Sequence, residues 1–306
     1  MAALGFAASI LAVAPAQAQV RTLHTRDLIR LSQVQVMDYL KRSDVVFIPV
    51  GAVETNGIFP SGRDYVTPLA YAMAMADEID ALYMPGLMWS YPGTTLVAPS
   101  TINITPSQGV AFLKAVSESL IRSGFRRLVF LSGGHGPAPL TVGTVVREIF
   151  DEFRVPVMYI EMGGQVAKLN LPAPQRNRLM YGAHQITGRL IDLPIKGDYG
   201  ENPMGATGPI PENPGYNALN QMGFGGSLAL GSWVTDLRSH GGGNQALPAS
   251  AAERAEWGKQ GEAQIRAIVK QLKLAEAMDN LRKHDEFTNK VLVPKFDKIL
   301  PPSPLP

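Results

Sequence analysis

The 306-residue chain is 45% hydrophobic and 18% charged, enough to bury a sizeable core and too apolar for extended disorder. Its formal net charge is +2, with Lys and Arg scattered, which excludes the basic stripe of a nucleic-acid binder or an anionic-membrane surface. Cysteine is absent, so disulfides, zinc–thiolate sites and cysteine nucleophiles are excluded, and any metal must be held by His, Asp, Glu or Asn.

Taken in chain order, residues 1–18 read as a signal peptide. Ala2 to Ala14 are almost all small or apolar, and Ala16-Gln17-Ala18 is a small-x-small cleavage pattern, although no Lys or Arg precedes Ala14. An apolar helix packed on the body is the alternative. The run is shorter than the ~20 residues a spanning helix needs. The expectation is a periplasmic or secreted protein with no membrane span after processing.

Residues 45–50, Val-Val-Phe-Ile-Pro-Val, form an apolar run that reads as a buried strand, with Pro49 near its end. A helix is expected from about Thr67 to Ala81, a second strand near Tyr83-Met84, and loop over 85–104. Thr105-Pro106-Ser107-Gln108 has the form of a capping box and opens a helix with Val110, Leu113, Val116, Leu120 and Ile121 on one face, ended by Gly124. Leu128 to Leu131 reads as a strand, Val142 to Phe153 as an amphipathic helix, and Val155 to Ile160 as another strand. This alternation predicts an α/β fold of three layers, α/β/α, on a mainly parallel sheet. One domain is expected over 19–275. Within it, 197–245 is dense in Gly, Pro and Asn and reads as loops or a lid. Ser250-Ala251-Ala252-Glu253 opens a long helix, and 276–306 reads as a C-terminal arm.

Sites in open α/β sheets form beyond the carboxyl ends of the strands. Glu54 lies just after the first strand, Asp64 ten residues on, and His135, within Gly133-Gly134-His135-Gly136, just after the Leu128–Leu131 strand. Their convergence would suit Zn²⁺ or Mn²⁺ with a position left for water. The alternatives are that Glu54 caps a helix or pairs with Arg63, and that His135 satisfies a turn.

The ordered set of motifs resembles the creatininase (creatinine amidohydrolase) family. That family carries G-x-x-E-x-H-G, then L-P-x-x-x-D, a P-G-T-I-S-L-like loop, G-F-R-R, and N-G-H-G-G-N. This chain has Gly51-Ala52-Val53-Glu54-Thr55-Asn56-Gly57, Phe59-Pro60-Ser61-Gly62-Arg63-Asp64, Pro99-Ser100-Thr101-Ile102-Asn103-Ile104, Gly124-Phe125-Arg126-Arg127 and Ser132-Gly133-Gly134-His135-Gly136-Pro137. The resemblance covers residues 45–160. It implies a creatininase-like fold and metal ligands Glu54, Asp64 and His135, with Asp64 at the bridging position. A second metal in the family uses the His of E-x-H and a later Glu. Asn56 and Pro137 stand there, and a neutral amide oxygen replaces imidazole poorly, so one Zn²⁺ or Mn²⁺ per subunit is expected.

The family's H-A-G-E-x-E-T-S-like segment is similar to Gly182-Ala183-His184-Gln185-Ile186-Thr187-Gly188, which makes His184 a candidate acid/base; His240, in a glycine-rich stretch, is its competitor. Asn56, Trp89 and Trp233 are candidates to meet the substrate, the tryptophans by stacking on a flat molecule if they are not core. The resemblance implies a metal-dependent hydrolase that uses activated water on a non-peptide C–N bond of a cyclic amide or related small compound. It also implies a homo-oligomer, as large as a hexamer. The alternatives are a non-catalytic small-molecule-binding protein on the same fold, and a metal-dependent lactonase or isomerase.

Overall fold

The computed structural model describes residues 23–88, 90–93, 95–96, 98–200, 213–224 and 246–303. The expected leader, Trp89, Trp233 and His240 lie outside the described residues.

Four strands, β1 (Val45–Pro49), β2 (Leu82–Tyr83), β3 (Arg127–Ser132) and β4 (Met158–Glu161), form one sheet in the order β2-β1-β3-β4, every pair parallel. Among the described residues, the α-helices of six or more residues are α1 (Gln33–Leu40), α2 (Arg63–Ile79), α3 (Pro106–Arg122), α4 (Ala138–Phe153), α5 (Met162–Ala167), α6 (Ala173–Ile186), α7 (Pro214–Gln221), α8 (Ala251–Gln271) and α9 (Leu274–Phe287).

Side chains alternate across a strand, so the apolar runs of β1 and β3 feed two cores. Val46, Ile48, Leu128 and Phe130 pack with Leu113 and Leu120 of α3 and Val142, Val145 and Ile149 of α4. Val45, Phe47, Val129 and Leu131 pack with α2, α6, α8 and α9. The result is the three-layer α/β/α arrangement. Each fully buried aliphatic side chain contributes about 1.5–3 kcal/mol.

Local signals explain the element ends. Thr105 Oγ1 accepts from the Gln108 N–H, and the Gln108 side chain accepts from the Thr105 N–H at 3.0 Å, a complete capping box. The Ser250 hydroxyl caps α8 by accepting from the Glu253 N–H, but the Glu253 carboxylate reaches past Ser250 to the Ala249 N–H.

Several boundaries differ from expectation. Helix α2 starts at Arg63 rather than Thr67, which carries Pro68 one turn inside, where it has no N–H for the Asp64 carbonyl. Strand β4 starts at Met158, so Val155 and Val157 are buried ahead of it rather than within it. Inside the expected loop region, α7 is capped by Asn213, whose side-chain oxygen accepts from the Tyr216 N–H at 3.0 Å. The segment expected as an arm is helical from Leu274 to Phe287. It is tied down by buried Leu274 and Met278 and by a two-pronged ion pair of Arg126 with Asp285, both contacts at 2.7 Å. Helices α5 and α6 were not anticipated. Helix α6 has a weak apolar stripe and docks on α8 through glycine: a Cβ on Gly261 would lie 1.8 Å from the Arg178 carbonyl oxygen.

Candidate functional site

Strands β1 and β3 end level. Pro49 pairs with Leu131, and the Val50 N–H donates to the Leu131 carbonyl at 2.8 Å. The segments 51–57 and 133–136 therefore leave the carboxyl edge of the sheet side by side, one carrying Glu54 and the other His135. Asp64 arrives from the first turn of α2, where the helix dipole favours a carboxylate. Gly51 permits that approach: a Cβ there would sit 2.3 Å from the Asp64 carbonyl oxygen.

One ligand-type atom from each of Glu54, Asp64 and His135 lies within 4.8 Å of the other two. Glu54 and His135 are only 3% and 6% exposed, and Asp64 is partly buried. His135 Nδ1 stands 3.2 Å from Glu54 Oε1, and Nε2 meets the Tyr91 carbonyl at 3.0 Å. A carbonyl only accepts, so Nε2 carries the hydrogen and Nδ1 is the nitrogen turned toward the carboxylates.

The three groups perturb one another. Burial pushes the Glu54 carboxyl up; the His135 contact offsets part of that, and the Asp64 charge adds to it. Burial also acts to raise Asp64, but the Arg63 charge, then His135, then hydrogen bonds from Glu54 and Asn56 outweigh it and hold Asp64 below the usual range. Burial alone would lower His135. The Glu54 hydrogen bond, the charges of Asp64 and Glu54 and the Tyr91 carbonyl overcome it and raise the imidazole to about 9. Without a cation the cluster is therefore knit by a proton on His135, in the place where a cation would join imidazole to carboxylate. Two carboxylates and one imidazole nitrogen suit Zn²⁺ or Mn²⁺.

A surrounding set of residues orients these donors, and it was not singled out from the sequence. The buried Thr95 hydroxyl donates to Glu54 Oε2 at 3.2 Å, and Thr101, 3.4 Å from Thr95, accepts from the Thr55 N–H. Thr101 belongs to the quoted 99–104 motif, so a signal was present; Thr95 and the Tyr91 carbonyl lie in an unpatterned loop.

The other candidates fall in different places. Asn56 is buried, and its amide nitrogen contacts the Glu54 carbonyl and Asp64 Oδ2, each at 3.3 Å; its Oδ1 has no partner among the described residues. It thus props Asp64. Among the described residues Glu54 makes no ion pair with Arg63, whose guanidinium lies 5.8 Å from the Phe59 ring centroid. His184, on α6, is 0% exposed. Its Nδ1 donates to the Met180 carbonyl at 3.0 Å and its Nε2 has no partner among the described residues. Burial chiefly lowers His184, to about 4, so the ring is neutral. A pocket of about 260 Å³ opens beside Asp64, lined by Arg63, Tyr71, Gly133, Gly134 and Arg176 among others.

The family model described as creatinine amidohydrolase matches residues 30–186, just over half of the chain. A creatinine amidohydrolase from Pseudomonas putida is 32% identical over 102 residues, 29% of this chain and 36% of that one. A 3-dehydro-scyllo-inosose hydrolase from Thermotoga maritima is 24% identical over 134 residues, 43% of this chain and 42% of that one. The chain thus spans well under half the length of either relative. Two solved structures share the fold: a creatinine amidohydrolase at 17% identity, and a creatininase named for manganese at 18%. Each has a TM-score of 0.52 and covers 81% of this chain and 98% of its own. Among the described residues no helix is long and apolar enough to cross a membrane.

Proposed function

The chain belongs to the creatininase family, and on that premise we propose that it is a metal-dependent hydrolase opening a non-peptide C–N bond in a small polar compound, a cyclic amide or close relative. The observation that carries this reading is the convergence of Glu54, Asp64 and His135 within 4.8 Å at the carboxyl edge of the sheet. Those three residues would hold one Zn²⁺ or Mn²⁺ per subunit, Nδ1 being the imidazole donor. A cation held there supplies Lewis acidity toward a carbonyl and lowers the pKa of water.

The chain's own groups supply the rest. The Tyr91 carbonyl fixes the His135 ring, the Thr95 hydroxyl holds one oxygen of Glu54, and the Asn56 amide holds Asp64, the kind of outer support that sets ligand orientation. Of the two histidines considered for moving a proton to the leaving nitrogen, His184 is sealed inside the protein, and we assign the role to His240. The same reading carries a homo-oligomer, as large as a hexamer, exported by its apolar leader.

A second reading keeps the centre and changes the electrophile. The Thermotoga maritima relative is named as a hydrolase of an inosose rather than of an amide, which supports an electrophile other than an amide; a metal-dependent lactonase or isomerase is the alternative. The deciding experiment is a screen of cyclic amides and lactones with Mn²⁺- or Zn²⁺-loaded protein. Ring opening of an amide, lost in His135→Ala and in His240→Ala but kept in His184→Leu, supports the hydrolase. Turnover confined to lactones selects the alternative, and no turnover of either class leaves a binding protein.

A further inference from the structure

We infer that the pocket beside Asp64 is a subsite for an anionic group, a carboxylate or phosphate, carried by the substrate. This deepens the hydrolase reading and rests on it for the word substrate. Two guanidinium groups, those of Arg63 and Arg176, line the pocket, and among the described residues neither makes an ion pair or a side-chain hydrogen bond. Arg63 is instead stationed over the Phe59 ring. A third donor is Tyr71. It is 2% exposed, its hydroxyl has no partner among the described residues, and Tyr71 is one of the residues lining the same pocket. Buried polar groups are ordinarily paired, so this phenol has a donor to offer an acceptor that reaches it.

Gly133, Gly134 and Gly163 also line the pocket and bring no side chain of their own; they pack so closely that a Cβ on Gly163 would sit 2.6 Å from the Gly134 Cα. The nearby Glu161 carboxylate accepts from the Gly163 and Gly164 N–H groups. The one acid among the described lining residues is Asp64, already committed to the cluster. Two guanidinium groups without an ion pair among the described residues, together with the Tyr71 hydroxyl, match an anion, for which arginine is the preferred fork. A volume of about 260 Å³ leaves room for a small molecule beside Asp64.

The test is isothermal titration of the full chain, Mn²⁺-loaded and chelator-stripped, with 2-pyrrolidone-5-carboxylate, its neutral 5-carboxamide and inorganic phosphate. The carboxylate or phosphate should bind at least about tenfold tighter than the carboxamide. A preference for carboxylate assigns an acid substrate, and a preference for phosphate assigns a phosphate ester. Arg176→Gln should cost about fivefold and Tyr71→Phe about tenfold. Tyr71→Phe removes a hydroxyl that has no partner among the described residues and should leave Tm unchanged or higher, so that lost binding is not lost fold. Equal affinity for carboxylate and carboxamide without phosphate binding, no binding of any of the three, or an anion preference unchanged when Tyr71→Phe and Arg176→Gln are combined would overturn the subsite. Metal content is read in the same samples. Normal metal uptake without anion preference sinks the subsite alone, whereas anion preference without metal uptake sinks the hydrolase reading alone.

Discussion

His135 and His184 are both buried, at 6% and 0% exposure, and burial acts to lower the pKa of each. Yet they end on opposite sides of the ordinary 6.5, His135 at about 9 and His184 at about 4. The difference lies in what else is buried with them. His135 faces Glu54 and Asp64 across the end of the sheet, and its positive form is held by two carboxylates. His184 has one backbone carbonyl, from Met180, and a nitrogen with no partner among the described residues. A histidine caged by carboxylates belongs to a cation site; a histidine with only its own helix for company belongs to the packing between α6 and its neighbours.

That contrast can be broken in several ways. The largest effect concerns metal uptake. A cation must displace the His135 proton, so apparent affinity should rise about tenfold per pH unit from 6.5 to about 9 and level off above. Isothermal titration of Mn²⁺ across that range would show it, and a flat profile would mean that His135 is not a ligand. In metal-free protein the same raised value gives stability that is present below 6.5 and lost as pH climbs toward 9.

For His184 the sign is reversed. Its folded value of about 4 lies below that of the unfolded chain, so its contribution is present above 6.5 and lost as pH falls toward 4. The loss is about 3 kcal/mol at 1.36 kcal/mol per pH unit. Urea titrations at pH 6.5 and 4.5 should show His184→Leu far less acid-sensitive than the parent; equal sensitivity would place the acid response elsewhere.

Gly51→Ala should cost about 1–3 kcal/mol through overpacking. Because its Cβ would strike the Asp64 backbone, it should also abolish metal uptake, whereas retained uptake would show that α2 can shift without moving Asp64 from the cluster. The smallest effect is expected from Thr95→Val, which removes the Glu54 hydrogen bond and should weaken metal binding about tenfold, the low end for an outer-sphere contact. An unchanged affinity would leave Glu54 oriented by His135 alone.

The layers and the metal-type cluster were legible in sequence for one reason. The apolar runs of β1 and β3, the Thr105 capping box and the α4 periodicity are local patterns, and parallel strands send their following loops to one edge. Thus Glu54 and His135 could be paired without coordinates. Asp64 was foreseen through its motif, but not the mechanism that delivers it, a glycine in one segment matched to the backbone of another. Helix α6 was not anticipated because its docking depends on the Gly182–Gly261 crossing rather than on an apolar stripe. The pocket donors Tyr71 and Arg176 sit on α2 and α6, more than a hundred residues apart, and no spacing rule joins them.

The central claim is that Glu54, Asp64 and His135 form a single metal centre. Its most direct test is metal content by mass spectrometry on protein purified without chelator, beside His135→Ala. The account predicts about one Zn or Mn per subunit in the parent and none in the variant. Metal absent from the parent, or equal in both proteins, would contradict it.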